Sequence, residues 1–238
     1  MDSTKRAARR AGLLYLLLAV TAPIGLMYVP GQLIVAGDAT ATADKIRAAE
    51  WLLRLGIGSE LFHQAVVIFL VLALYRLFRG VSQYQASLVV ILGALVSVPI
   101  VFVNVLNELA VLIVLSGARF LSIYDKSQLD ALAYLFLRLH AQGLVVASIF
   151  WGLWLFPFGI LVIRSGFLPR WLGYLLFLAG GGYLAAAFAT LITPRYAALV
   201  GQVTGILMFF ELPIIFYLAI WGAREAPADA TARRGASR

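Results

Sequence analysis

Apolar residues run almost unbroken through residues 11–29, 55–77, 85–115, 129–163, 168–192 and 199–221, and polar or basic turns separate the six stretches. At about 1.5 Å of rise per residue, each is long enough to cross a hydrocarbon core about 30 Å thick. The pattern predicts an all-α polytopic bundle of six transmembrane helices. The third and fourth stretches exceed the required length and should tilt or protrude. Between the first two, residues 42–53 offer Ile46, Ala49, Leu52 and Leu53 for one face and Asp44, Lys45 and Arg47 for the rest. That reads as a short amphipathic helix on the outer surface, with Trp51 at headgroup level. The expected organisation is one bundle over residues 1–222 and a disordered cytoplasmic tail, rich in Ala, Arg and Gly, over 223–238. The halves show no repeat that would support an inverted-repeat transporter. A basic start before an apolar run also suggests a signal peptide, but the run to Val29 is long for one and no cleavage site is clear.

Composition agrees with the pattern. Of 238 residues, 63% are hydrophobic and 13% charged, against about a quarter charged in soluble proteins; the mean hydropathy is +0.95. The formal charge of +8 would suit nucleic acid, yet the basic residues sit at the edges of the apolar stretches, where they set membrane orientation. Twelve fall on the side of both termini, including Lys5, Arg76, Arg164 and Arg224, and six on the other, including Lys45, Arg119 and Arg195. This asymmetry predicts a multi-pass protein of a cell inner membrane with both termini cytoplasmic. With no cysteine, disulfides, thiolate nucleophiles and cysteine metal sites are excluded. The chain also lacks the phosphate-binding GxxxxGK[ST] loop, GxGxxG, HExxH and GxSxG.

Candidate chemistry lies in the charges inside the spans: Glu60, Glu108, Arg138 and Glu211. Each costs roughly 2.5–3.5 kcal/mol to insert at a bilayer centre, so such groups should face one another or a wet cavity. In GSELFHQ, Glu60, His63 and Gln64 share a helix face; in NVLNELA, Asn104, Asn107 and Glu108 do; in LRLHAQG, Arg138 and Gln142 share one while His140 points elsewhere. The axial rise places Glu60, Glu108, Arg138 and Glu211 about 8, 10, 14 and 18 Å below the outer edges of their spans. The expected site is a polar cluster in the outer half of the membrane, with Arg138 as counter-ion to the glutamates. No cofactor and no metal are expected. A metal would draw on Glu60, His63 and His140, completed by Glu108 or Glu211, since Glu-x-x-His pairs serve carboxylate-bridged metals in helical bundles. Pro99, Pro157 and Pro213 should each free a carbonyl one turn earlier, and Gly180, Gly182, Gly201 and Gly205 should allow close helix packing.

AGLLYLLLAVTAPIGLMYVPG from Ala11, LGIGSELFHQ from Leu55, SGARFLS from Ser116, LRLHAQG from Leu137 and FWGLWLFPFGILVIRSGFLPRWLGYLL from Phe150 resemble the multi-pass bacterial membrane proteins of the family catalogued as domain of unknown function 4386. The resemblance implies no activity, substrate or cofactor. The functional expectation therefore rests on the charges: binding or transport of a small polar or cationic group or a lipid headgroup, with an intramembrane metal-dependent hydrolase and a structural or accessory protein as alternatives. The expected partners are the lipid bilayer and that ligand, and not nucleic acid.

Overall fold

The computed structural model describes residues 3–224, so the tail expected to be disordered lies outside the described residues from residue 225 onward. Six helices are long and apolar enough to cross a membrane: α1 (Thr4–Leu33), α3 (Glu50–Phe78), α4 (Gln83–Leu115), α5 (Lys126–Arg164), α6 (Arg170–Ile192) and α7 (Pro194–Ile220). A shorter helix, α2 (Ala39–Ala48), follows α1, and the Asp38 side chain caps it by accepting from the Ala41 N–H at 2.8 Å. The expected surface helix thus starts and ends earlier than its pattern suggested. The chain breaks at Ala49, and Trp51, Leu52 and Leu53 open α3.

Prolines account for the irregular turns inside the spans. A proline frees the carbonyl four residues before it and crowds that turn. Pro30 frees Leu26, inside a π-helical turn at Ile24–Tyr28; Pro99 frees Leu95, inside another at Ile91–Val96. Pro157 frees Leu153, where α5 is interrupted at Trp154, and Pro213 frees Phe209, which opens a 3₁₀ turn at Phe209–Glu211. The three prolines singled out from the sequence therefore each mark a real break, and Pro30 adds a fourth.

The chain divides into two compact units. Among the described residues, one gathers 3–17, 66–98 and 148–224; the other gathers Leu18–Ala65 and Pro99–Ala147. In the first, a run of rings packs Tyr15 on Trp154 (centroids 5.8 Å apart), Trp154 on Phe158 (5.7 Å) and Phe158 on Phe78 (5.8 Å). Gly152 and Gly180 let α5 and α6 approach backbone to backbone, since a Cβ on Gly180 would lie 2.9 Å from the Gly152 carbonyl. Gly182 gives α7 similar access through Leu207. The GxxxG pair on α7 behaves otherwise: among the described residues, nothing lies within 4 Å of a Cβ built on Gly201 or Gly205, so that face packs against no described helix.

The second unit has its own apolar core, in which Val29, Leu33, Ile46, Ile57, Val105, Val111 and Leu137 are buried together. Four charges close its polar end. Asp130, only 1% exposed, accepts from Arg47 at 2.6 Å and Lys126 at 2.9 Å, and Lys126 also reaches Asp44 at 2.9 Å. This network fastens α2 to the first turn of α5. The hydrogen bond from Lys126, with further help from Arg47, holds the Asp44 carboxyl below the usual aspartate range. Its contribution to stability is present at neutral pH and fades as pH falls through the lowered folded-state value.

Candidate functional site

The second unit carries the buried polar groups that the hydrophobic pattern marks out. One face of α3 presents Glu60 to His140 of α5, with Oε1 3.1 Å from Nε2, and Glu108 of α4 approaches the same nitrogen to 4.0 Å. Ligand atoms from all three residues lie within 4.8 Å of one another. Glu60 and Glu108 are each 6% exposed and His140 is 8% exposed. Asn104 stands one turn before Glu108 on α4 and fixes the imidazole. Its amide Nδ2 donates to the His140 carbonyl at 2.9 Å and lies 3.2 Å from Nδ1, while Nδ1 is 3.4 Å from the Asn104 carbonyl. Asn107 in turn donates to the Asn104 carbonyl at 3.1 Å.

Missing side chains make the room. A Cβ on Gly25, in the π-helical turn of α1, would come within 3.1 Å of Glu60 Cγ, and π turns recur at functional sites. On α5, the space where a Gly143 side chain would sit is filled by the Asn104 amide.

The polar atoms are not all satisfied. Among the described residues, Glu60 Oε2, Glu108 Oε2 and Gln64 Oε1 are buried without a hydrogen-bond partner, although a buried polar atom ordinarily has one. Two carboxylates thus share a buried space with one imidazole, and no lysine or arginine among the described residues pairs with them. The arrangement can bind or exchange a proton or cation.

Several expected members lie elsewhere. Arg138 and Gln142 are exposed. Ala133, Leu137, His140 and Ala147 are the buried positions along this part of α5, and their helical spacing puts His140 inward and the Arg138–Gln142 face outward. Arg138 therefore forms no ion pair with the glutamates among the described residues, and His140 is the side chain beside them. Arg138→Gln is expected to leave stability unchanged or raised, because it removes a charge from the outward face of a span without breaking a pair with the glutamates. Denaturation in detergent checks this, and a loss of more than about 1 kcal/mol would contradict the exposed placement. His63 is half-buried, 3.2 Å from Thr21 Oγ1 of α1, and does not join the three-residue group despite its Glu-x-x-His spacing. Asn107 is half-buried and Gln64 buried. Glu211 belongs to the first unit, where Tyr15 and Tyr183 donate to its two oxygens, the latter at 3.5 Å. Both tyrosines were missed in the sequence; their one signal is a hydroxyl within an apolar span.

Six apolar spans and this buried polar group define an α-helical integral membrane protein. More particularly, the chain belongs to the family described as Domain of unknown function (DUF4386), whose model matches residues 10–222. An uncharacterized protein of Archaeoglobus fulgidus is 36% identical over 83 residues, which make up 35% of this chain and 48% of that protein. The match thus spans about half the length of that relative. No solved structure matches the chain.

Proposed function

We propose that this membrane protein binds or transports a small cationic group, held by Glu60 and Glu108 beside His140. The observation that carries the reading is the pair of buried carboxylates, each with an oxygen that no donor among the described residues meets and, among those residues, with one imidazole nearby to balance them. Uncompensated buried charge is among the costliest features a protein can keep. A cation entering the group relieves that cost, so its affinity is built into the fold. Glu60, Glu108 and His140 contact the ligand; Asn104 positions the imidazole.

Thermal unfolding of the purified protein in detergent, with alkali ions, divalent ions, tetramethylammonium and ethanolamine, tests the reading. At least one should stabilise the protein saturably, by about 2.7 kcal/mol at a hundred times its dissociation constant. The shift should vanish when Glu60→Gln and Glu108→Gln are combined. A wild type indifferent to every cation, or a shift that survives the double substitution, would overturn it.

The basic asymmetry further supports a site in the outer half of the bilayer with both termini in the cytoplasm. Reporter fusions after Arg79, Ser165 and Arg224 should then read as cytoplasmic, and fusions near Asp44 and Asp125 as external. An external signal at Ser165 reverses the orientation.

A further inference from the structure

We infer that the cation is a divalent first-row transition metal of the zinc class, bound by Glu60, Glu108 and His140. The inference rests on the cation-binding reading above and narrows it. Charge comes first. Two ionised glutamates and a neutral imidazole carry two negative charges, which one divalent ion cancels and one monovalent ion leaves half uncancelled. Geometry agrees. Zinc holds nitrogen and oxygen donors at about 2.0–2.2 Å in a tetrahedron, so neighbouring donors stand roughly 3.4 Å apart. The separations from His140 Nε2, 3.1 Å to Glu60 Oε1 and 4.0 Å to Glu108 Oε1, bracket that spacing.

Donor type then selects among divalent ions. An imidazole in a three-residue set disfavours calcium and magnesium, which take oxygen donors, and the absence of cysteine disfavours the softest ions. Beyond the acidic pair itself, two further observations point to a ligand. The second oxygens of both glutamates are buried without partners, and the imidazole is gripped from behind. Nδ1 of His140 lies 3.4 Å from the Asn104 carbonyl and 3.2 Å from the Asn104 amide nitrogen; in the tautomer that donates Nδ1–H to the carbonyl, the Nε2 lone pair faces the glutamates, the outer-shell arrangement that orients metal-bound histidines. Three protein donors leave one position of a tetrahedron for water or substrate, as in catalytic rather than structural zinc sites.

The test uses full-length protein in detergent, stripped with chelator and titrated with zinc, manganese, calcium and magnesium. One equivalent of zinc per chain is expected, bound more tightly than manganese, with calcium and magnesium much weaker. Cobalt should give the visible ligand-field bands of a four-coordinate nitrogen–oxygen site. Asn104→Ala should weaken zinc roughly 10- to 100-fold, and His140→Ala should weaken it further; His63→Ala should leave it unchanged. Glu108→Gln, nearly isosteric, provides a second ligand variant if His140→Ala does not fold. Folded wild type that takes up no zinc, or binding that depends on His63 and not on His140, overturns the inference. If zinc is not bound while sodium or tetramethylammonium still stabilises the protein through Glu60 and Glu108, the metal falls and cation binding stands. If no cation acts at all, both fall.

Discussion

Gly143→Ala is expected to weaken cation-dependent stabilisation while leaving Glu60, Glu108 and His140 chemically intact. A methyl group at this position falls on the Asn104 side chain, against its carbonyl oxygen and amide carbon. Overpacking of this kind costs typically 1–3 kcal/mol. Here the amide must also leave its bond to the His140 carbonyl, so the imidazole loses the group packed against its Nδ1. The expected result is a destabilisation of about 2–4 kcal/mol in the absence of ligand, from overpacking and the loss of roughly one buried hydrogen bond. The affinity for the ion that stabilises the wild type should fall at the same time. A variant of wild-type stability and affinity would show that Asn104 can move without consequence and does not position His140. Asn104→Ala with Gly143→Ala separates the two effects. Truncating Asn104 removes the clash, so the double variant should recover the packing cost and not the affinity.

The membrane class was legible because hydrophobic effect and backbone satisfaction act on long segments. Six runs of apolar residues can satisfy their backbone in a bilayer only as helices, and span ends shifted by only a few residues. The proline breaks were equally direct, since the lost N–H is a covalent fact. The site was legible in its residue types and less so in its facing. Residues 138, 140 and 142 all sit in one apolar stretch, and a span whose neighbours are apolar all round shows no moment that distinguishes core from lipid. Charge-pairing logic favoured Arg138 against the glutamates. The folded chain instead turned inward the imidazole, a smaller group that is neutral in one protonation state and cheaper to desolvate, and placed the guanidinium on the outward face of α5. Glu-x-x-His was misleading for a related reason: positions three apart lie close but diverge enough for Glu60 to meet α5 while His63 meets α1. Nothing in the sequence paired Glu211 with tyrosines from the first and fifth spans, because those contacts are separated by 196 and 28 residues.

Tyr15→Phe is expected to destabilise the first unit by about 1–3 kcal/mol, the cost of leaving a buried polar partner unmatched. Tyr15 is 4% exposed, and its ring already packs on Trp154 and Phe158, so phenylalanine keeps the aromatic contacts and removes only the hydroxyl. The lost donor leaves Glu211 Oε1 without its phenol, while Tyr183 still approaches Oε2 at 3.5 Å. Glu211 sits at the 3₁₀ turn that Pro213 imposes on α7, where the backbone cannot readily supply a replacement donor. Removing the carboxyl as well, in Tyr15→Phe with Glu211→Leu, should therefore cost less than the two single changes together, with a coupling of about 0.5–3 kcal/mol. Denaturant unfolding of the four proteins in one detergent measures that cycle. Strict additivity would mean that the hydroxyl does not serve Glu211. Cation-dependent stabilisation should persist in Tyr15→Phe, because its effect is confined to the unit that lacks Glu60, Glu108 and His140; loss of that response would show that the two polar groups act together.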